Sequence, residues 1–256
     1  STLKNLGLDA ILLTGGQAGI ITNDCFGDAR IIRVEPKAIL ENLQAGKVVV
    51  VTGFQGVTED GQITTLGRGG SDTTAAALGV ALNAEAIDIY TDVEGIMTAD
   101  PRIVEDARIL DVVTYNEICH LAHQGAKVIH PRAVEIAMQK NIPIWIKCTF
   151  SDAKGTLVTS IQPDMGAGTD ITGDRLITGI AHTANITQIQ VPTHEVVDVL
   201  QAHKQIFKGM ALADISVDFI SVQPESVLYT VPDELAGKAL KILENLGFKQ
   251  IGRAHV

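Results

Sequence analysis

The stretch Gly67-Arg68-Gly69-Gly70-Ser71-Asp72-Thr73-Thr74, which runs directly into Ala75-Ala76-Ala77-Leu78-Gly79, decides the fold of this chain. Its glycines let backbone N–H groups approach a ligand closely, and a helix that follows at once points its positive N-terminal end to the same place. Ser71 or Asp72 is expected to cap this helix, and Arg68 offers a planar fork suited to a carboxylate. The stretch therefore predicts an anion site ahead of a helix over 71–83. The structural alternative is a tight connection without a ligand.

Composition and charge narrow the class of protein. The chain has 256 residues, of which 46% are hydrophobic and 20% charged, and a net charge of −10 with a pI near 5.1. These values predict a globular protein with no nucleic acid and no membrane surface as its main partner. Cys25, Cys119 and Cys148 lack metal or redox spacing, so we expect free thiols in the core and a reducing compartment. Without a signal peptide or membrane-spanning run, a cytoplasmic location is expected.

Strands and amphipathic helices alternate through the first 160 residues, which predicts an α/β domain. Short apolar runs at 10–13 and 47–51 are typical of parallel strands buried on both faces. Asp60-Gly61 between β-prone flanks predicts a hairpin turn. Pro131 is expected at the first position of a helix, with Ala133, Ile136 and Ala137 on its buried face. The remaining predicted elements are a strand at 86–90, helices at 115–123 and 131–140, and strands at 142–149 and 156–159.

A different pattern follows a polar segment that bears proline and glycine. We assign a first domain to 1–160, a linker to 161–173 and a second domain to 174–256. The second domain is predicted as strand 177–191, helix 194–211, two strands within 214–231, helix 234–246 and strand 249–256. This β-α-β-β-α-β order indicates an α+β, ferredoxin-like domain. The first helix is expected to bury Val196, Leu200, Phe207 and Ala211. The second, capped by Asp233 and ended by Gly247, is expected to bury Ala236, Ala239, Leu243 and Leu246.

Two further segments offer groups that could bind a nucleotide. The loop 91–102 follows a predicted strand and supplies hydroxyl, carboxylate, glycine and guanidinium groups, although an ordinary strand exit with an Asp100-Pro101 turn would also explain it. Lys127 stands just ahead of a helix, where it could face a phosphate or simply be solvated. No carboxylate or cysteine completes a metal site with His120, His123 and His130, so we expect surface or capping roles and no metal site in the protein.

Four motifs in this order resemble the aspartate kinases, which belong to the amino acid kinase family and carry a C-terminal ACT regulatory domain. The motifs are Gly53-Phe54-Gln55-Gly56, Thr64-Thr65-Leu66 leading into 67–72, Thr91 to Arg102, and Gly125 to Pro131. The resemblance covers essentially the whole chain. It implies a partial three-layer α/β/α kinase domain followed by an ACT domain, and an ATP-dependent phosphorylation of the β-carboxylate of L-aspartate to 4-phospho-L-aspartate. That reaction opens the synthesis of lysine, threonine and methionine through diaminopimelate.

The resemblance also implies roles for individual residues. Arg68, Gly69, Gly70 and Ser71 would hold aspartate, with Phe54 lining the pocket, and Asp72 and Lys127 would be catalytic. The residues implied to contact ATP are Thr91, Asp92, Met97, Arg102, Lys127 and Val128. ATP and Mg²⁺ would be the cofactors. Because a substrate carboxylate with a pKa near ~4 is already ionised at neutral pH, no general base is needed.

Some features of that family are missing. The family normally begins with a phosphate loop carrying a lysine, has an acidic residue for the substrate ammonium, and carries a second ACT module. We therefore expect an internal fragment that is inactive alone. The segment 191–196 lacks the glycine of a binding turn, which leaves the effector open among lysine, threonine and diaminopimelate. A homodimer or larger oligomer through the ACT domains is expected. The alternatives are a regulatory or assembly subunit and a sister kinase acting on glutamate, acetylglutamate, carbamate or UMP.

Overall fold

A computed structural model describes residues 2–126, 128–160, 177–193, 198–248 and 251–255. The chain forms two compact units, Ser1–His182 and Thr183–Val256. The linker predicted at 161–173 lies outside the described residues, as do Lys127 and the segment 194–197.

The first unit alternates short strands and helices. Its elements are α1 Thr2–Asn5, β1 Ala10–Leu13, β2 Ile20–Thr22, β3 Ile31–Val34, α2 Lys37–Gln44, β4 Val48–Val51, β5 Gln55–Val57, β6 Ile63–Thr65, α3 Gly70–Ala81, β7 Ile87–Thr91, β8 Val112–Thr114, α4 Tyr115–His123, α5 Pro131–Met138, β9 Ile144–Cys148 and β10 Thr156–Thr159. The predicted α/β class is confirmed.

β1 and β4 pair in parallel over their four residues, as the two apolar runs predict. The prediction that both faces of β1 and β4 are buried, however, is wrong. Leu12 is 64% exposed, and Val48 and Val50 are each 39% exposed. The physical reason is that α2 covers only the opposite face, where its buried Ile39 packs in one cluster with Val49. Among the described residues, the face with Leu12 has no covering layer.

A mixed sheet in the order β3-β2-β5-β6 carries the predicted hairpin. β5 and β6 are antiparallel, with Gln55 opposite Thr65. Gly61 adopts φ +78° in their connection, a left-handed conformation that glycine takes without steric cost. The hairpin therefore delivers the chain directly into the glycine-rich stretch that follows β6.

The second mixed sheet of this unit, in the order β7-β9-β10-β8, holds the larger core. β7 and β9 are parallel, whereas β10 runs antiparallel to β9, so this sheet is mixed. The short loop between β9 and β10 returns the chain directly, which only an antiparallel neighbour permits. Alternate residues of β9 are buried against α3, α4 and α5. The core side chains include Ala76, Ile87, Ile89, Ile118, Ala133, Ala137, Ile144, Ile146 and Val158.

The second unit has the predicted β-α-β-β-α-β order. Its elements are β11 Ile186–Pro192, α6 Val199–Leu212, β12 Asp218–Val222, β13 Ser226–Pro232, α7 Asp233–Asn245 and β14 Gly252–His255. All neighbouring strands are antiparallel, in the order β12-β13-β11-β14, which is the ferredoxin-like arrangement. Both helices contribute to one core with the central strands.

Several details of this unit differ from the prediction. The first strand begins at Ile186, and residues 177–184 are irregular. The helix α6 buries Ala202, Ile206 and Met210, and the predicted Phe207 packs partly against the same core. Leu200 is 80% exposed and Ala211 is exposed, so the prediction is wrong for these two residues. The buried stripe begins with alanine, which lets the helix approach the sheet closely. Val196 lies outside the described residues.

Most of the prediction for α7 is confirmed. Ala236, Ala239 and Leu243 are fully buried, but Leu246 lies after the last turn and is 40% exposed. Pro232 is the N-cap and Asp233 is the first helical residue, so capping by Asp233 is wrong; its carboxylate instead accepts a hydrogen bond from the Thr187 hydroxyl. Gly247 follows the helix at φ +90°, as its predicted stop requires.

Two predictions based on composition can be compared with the described residues. No helix among them is both long and apolar enough to cross a membrane. All three cysteines are free, but only Cys148 is buried, Cys119 is partly buried and Cys25 is exposed. Core packing is therefore wrong for Cys25, which lies in the polar loop between β2 and β3, where no element covers it.

Candidate active site

The helix α3 begins at a glycine turn, not at a capping side chain. Gly69 is its N-cap at φ +69°, and no side chain donates or accepts a capping hydrogen bond there. Capping by Ser71 or Asp72 is therefore wrong, because both residues lie inside the first helical turn. Gly70 N–H donates to the Gly67 carbonyl at 3.1 Å, whereas the N–H groups of Ser71 and Asp72 have no acceptor among the described residues. Such a helix start favours a bound anion.

Three side chains pack against the glycines of this turn. A Cβ atom at Gly67 would lie 2.4 Å from Asp28 Oδ1, and one at Gly70 would lie 2.6 Å from Phe54 Cδ2. A Cβ atom at Gly69 would lie 2.3 Å from Cγ of His130. Real Cβ atoms do not approach other atoms so closely, so the turn needs glycine at these positions. The turn is consequently enclosed by an acid, an aromatic ring and an imidazole.

Phe54 is held beside the turn in a strained backbone conformation. Its φ is +72°, which is uncommon for a bulky residue and marks a place where the surrounding structure imposes the geometry. Its N–H donates to the Thr74 hydroxyl at 3.1 Å, and its carbonyl accepts from Leu66 N–H at 3.1 Å. The ring is 42% exposed, so it presents an apolar surface next to the turn.

A second helix start meets the first at His130. This residue is the N-cap of α5, and its Nδ1 accepts a hydrogen bond from Arg132 N–H at 3.3 Å. Its own N–H donates to Asp72 Oδ2 at 3.3 Å, so a carboxylate of α3 is tied to the start of α5. The positive ends of two helices therefore converge beside the glycine turn, where they reinforce each other toward an anion.

The carboxyl end of β7 lies at the same edge of the unit. A Cβ at Gly79, near the end of α3, would lie 2.6 Å from Cγ1 of Ile87, the first residue of β7, so helix and strand run in opposite directions. The 12 residues of α3 and the 5 of β7 rise by comparable lengths, about 18 Å and about 16 Å. β7 therefore extends from Ile87 toward the start of α3, and Thr91 is its last residue. Its hydroxyl donates to Asp92 Oδ1 at 3.1 Å.

The loop after β7 is anchored in the core. Ile96 N–H donates to the buried Thr156 hydroxyl at 2.8 Å, and Met97 forms a β-bridge with Ile109. The carbonyl of Thr98 accepts from Ile180 N–H at 2.8 Å, which ties the loop to a segment far along the chain. A loop fixed at these points can present its polar groups in one arrangement.

Arg102 is paired within its own loop. Its guanidinium donates to both carboxylate oxygens of Asp100, at 3.0 and 2.7 Å. This hydrogen bonding, from the side chain first and then the backbone N–H of Arg102, lowers the pKa of Asp100 to about 2. The same pair raises the pKa of Arg102. A phosphate would therefore have to share the exposed guanidinium with Asp100.

Of the predicted site residues, the structure brings Phe54 against Gly70 of the 68–72 segment. Arg68 and Ser71 in that segment are exposed, as are Asp92 and Arg102 in the loop after β7. Val128 packs partly against the core. Lys127 lies outside the described residues, and the roles of all these residues stay predictions.

Sequence reasoning missed the position of His130 at the site. Its capping role is confirmed, but its ring also packs on Gly69. A polar residue just before Pro131 was the signal for the cap, because proline favours the first helical position. Nothing in the local sequence could show which turn that cap would contact. Among the described residues, no group of three or more His, Cys, Asp or Glu side chains is placed to hold a metal ion.

Comparison with known proteins identifies the family. The sequence profile of the amino acid kinase family matches residues 1–148. The chain belongs to the amino acid kinase family. Within it, the chain is 52% identical over 248 residues to Aspartokinase 1 of Bacillus subtilis, and 43% identical over 222 residues to an aspartokinase of Mycolicibacterium smegmatis. These matches cover 97% and 85% of this chain but 60% and 50% of the two relatives, so the chain spans about three fifths of the first and half of the second.

Solved structures of aspartokinases support the same family assignment. The chain matches a structure of aspartokinase III of E. coli in complex with aspartate and ADP, with a TM-score of 0.75 and 29% identity over 98% of this chain and 57% of that one. It also matches the lysine and aspartate complex of that enzyme, with a TM-score of 0.79 over 98% of this chain and 56% of that one. Both units of this chain therefore have counterparts in these aspartokinases.

Proposed function

We propose that this chain acts in an aspartate kinase, which transfers a phosphoryl group from ATP to the β-carboxylate of L-aspartate. The observation that carries the proposal is the convergence of the starts of α3 and α5 beside Arg68 and Asp72, in a chain 52% identical to an aspartokinase. Such a site can hold anions and orient them. The product would be 4-phospho-L-aspartate, the first intermediate toward lysine, threonine and methionine.

Aspartate is proposed to bind at the glycine turn. Arg68 and Ser71 are exposed on either side of Gly69 and Gly70, so a fork-shaped guanidinium and a hydroxyl are available to carboxylate oxygens. The backbone N–H groups of Ser71 and Asp72, which have no acceptor among the described residues, add donors without side-chain entropy. Phe54 closes one side with its exposed ring. This set of donors suits a small dicarboxylate.

ATP is proposed to bind along the loop after β7, with Thr91, Asp92, Met97, Arg102, Lys127 and Val128 as its contacts. The course of β7 toward the start of α3 supports a nucleotide whose terminal phosphate reaches the turn. Mg²⁺ prefers oxygen ligands and commonly keeps waters while bound to substrate phosphates and one or two carboxylates. The proposed ion would therefore arrive with ATP and neutralise its phosphate charge.

The proposed reaction needs alignment more than proton transfer. An oxygen of the ionised β-carboxylate forms a bond to the γ-phosphorus while the bond to the β,γ-bridging oxygen breaks, and ADP leaves with that electron pair. No proton moves in this step, so no general base is required. The two helix starts and Arg68 would hold the acceptor in line, and Lys127 would stabilise the charge on the transferring group.

Titration calorimetry with L-aspartate tests the acceptor site directly. We expect saturable binding that weakens at least tenfold in Arg68→Lys, since lysine cannot reproduce the paired hydrogen bonds of a guanidinium. Arg253→Lys, an exposed arginine of the second unit, is the matched control and should bind normally. Equal affinity in both variants would remove Arg68 from the site, and binding of acetylglutamate or UMP without aspartate would favour a sister kinase.

The second unit is proposed to be an ACT domain that binds a feedback amino acid and pairs chains. Its ferredoxin-like topology supports this role, as does the lysine in the matched aspartokinase III complex. Lysine, threonine and diaminopimelate are all candidate effectors. For pairing, β12 is an edge strand with all five residues exposed, among them Phe219, Ile220 and Val222 at 51%, 51% and 54%. Such an apolar edge is suited to a second copy.

Light scattering after size-exclusion chromatography tests the pairing. We expect a dimer or larger assembly of the chain, which Ile220→Lys should convert to a monomer because an edge lysine opposes strand pairing. Ile63→Lys is a control, since Ile63 is also exposed but lies in the first unit. A monomeric parent chain would contradict pairing through this strand. A cytoplasmic location stays a prediction that cell fractionation would test.

A further inference from the structure

His130 has a ring nitrogen that the proposed function does not yet use. The ring lies against the N-cap of α3, since a Cβ at Gly69 would be 2.3 Å from its Cγ and 2.4 Å from its Cδ2. Nε2 is one bond from Cδ2, so it also lies beside the glycine turn. The imidazole is therefore next to the place where an anion would be held.

The capping hydrogen bond decides which ring nitrogen carries the proton. Nδ1 accepts from Arg132 N–H at 3.3 Å, so in the neutral imidazole the proton must be on Nε2. No described residue accepts a hydrogen bond from Nε2. The cap thus turns His130 into a donor with a free N–H.

The backbone of His130 is held as firmly as its ring. Its N–H donates to Asp72 Oδ2 at 3.3 Å, and its carbonyl accepts from Ala133 N–H at 3.0 Å. The next residue, Pro131, fixes the start of α5. With backbone and ring both constrained, the donor stays oriented without a further entropic cost when a ligand binds.

We infer that His130 contacts the anion bound at the glycine turn, through an Nε2–H hydrogen bond to one of its oxygens. The oxygen belongs either to the carboxylate of the acceptor or to the terminal phosphate of the nucleotide. The inference rests on the proposed function, because it assigns a ligand contact within the same site. His130 is thereby a binding residue in addition to a helix cap.

The variant His130→Asn separates the two roles. Asparagine is a good N-cap and places its carbonyl oxygen close to the position of Nδ1, but it has no donor at the position of Nε2. We expect normal stability of the chain to urea and at least tenfold weaker binding, since hydrogen bonds to charged groups are the strong ones. His123→Asn is the control, because His123 is exposed and bonds only to the Cys119 carbonyl.

Calorimetric titration of L-aspartate and of ATP, each alone, identifies the oxygen. Weaker aspartate binding assigns the contact to the acceptor, and weaker ATP binding assigns it to the terminal phosphate. A ligand-induced shift of the His130 Nε2 resonance, absent for His123, is a second expected result that a purely structural role would not produce. Unchanged affinity for both ligands in His130→Asn would overturn the inference while leaving the proposed function intact. If the parent chain bound neither ligand, both would fall.

Discussion

Replacing Gly69 by alanine perturbs the centre of the proposed site in a way whose magnitude can be worked out. The residue has φ +69°, and left-handed backbone is unfavourable for alanine by about 1–2 kcal/mol. The new Cβ would also lie 2.3–2.4 Å from three ring and side-chain carbons of His130. Such overpacking typically destabilises by about 1–3 kcal/mol, because His130 is held by its cap and by Asp72. The expected loss in the free energy of unfolding is about 2–5 kcal/mol.

Gly61→Ala is the matched control for this change. Gly61 has φ +78°, and a Cβ there would meet no atom within 4 Å. It therefore carries the backbone penalty of about 1–2 kcal/mol without the collision. Urea titration followed by tryptophan fluorescence reports the unfolding of the first unit, because the single tryptophan of the chain, Trp145, lies on β9. Gly69→Ala should lower the midpoint distinctly more than Gly61→Ala.

A double-mutant cycle isolates the collision with the ring. In the background of His130→Ala, Cγ and Cδ2 of the ring are gone while the Cβ contact at 2.4 Å remains, so Gly69→Ala should keep the backbone term and only part of the steric one. The expected coupling energy is the share of the steric part that the ring contributes, about 1–2 kcal/mol. Equal destabilisation by the alanines at 69 and 61, or a coupling near zero, would refute the packing of His130 on the turn. The proposed contact of His130 with a ligand would then lose its geometric basis.

Three further predictions concern other parts of the chain. Thr156→Val should lower the free energy of unfolding by about 1–3 kcal/mol in urea titration, because the Ile96 N–H, which donates to the Thr156 hydroxyl, would be buried without a partner. The same change should weaken ATP binding; unchanged ATP affinity would show that the loop after β7 needs no such anchor. The pKa of Asp100 is about 2, below the usual value of about 3.9, so its ion pair with Arg102 stabilises the loop above about pH 4 and is lost as the pH falls toward 2. In an NMR titration, Arg102→Gln should raise the midpoint of Asp100 ionisation, and an unaltered midpoint would contradict the pairing. Tyr115→Phe should lower the free energy of unfolding by about 1 kcal/mol, because the Tyr115 hydroxyl donates to the buried Ile142 carbonyl. Tyr229→Phe should leave that free energy unchanged or raise it, since no described residue bonds the Tyr229 hydroxyl. Urea titration measures both, and the reverse order would be inconsistent with these contacts.

Local sequence signals predicted the elements whose shape depends on neighbouring residues. The alanine-rich run after Ser71 forms α3, and the Asp60-Gly61 pair forms the hairpin because glycine can adopt the left-handed turn. Thr114 and Glu117 form a reciprocal capping box that starts α4 at the predicted residue. In each case the free energy comes from groups within a few residues of each other.

Features that depend on distant contacts could not be predicted in this way. The exposure of Leu12 depends on which elements cover β1 and β4, and periodicity carries no information about that. The face of α6 with Ala202 and the face with Leu200 both carry apolar side chains, so only the packing of the helix on the sheet decides that Ala202 is buried and Leu200 is not. At the site, sequence placed the glycine turn and the loop after β7 as candidates. The packing of His130 on Gly69 joins residues 61 positions apart and depends on the tertiary fold.

The most direct test of the proposed function is ADP formation with ATP, Mg²⁺ and L-aspartate. The assay is best made on a chimera in which this chain replaces the matching segment of Bacillus subtilis Aspartokinase 1, beside the chain alone. We predict ADP release that requires aspartate and is lost in Arg68→Ala but retained in Arg253→Ala. A folded chimera that releases no ADP with aspartate, or that accepts UMP or acetylglutamate instead, would contradict the assignment.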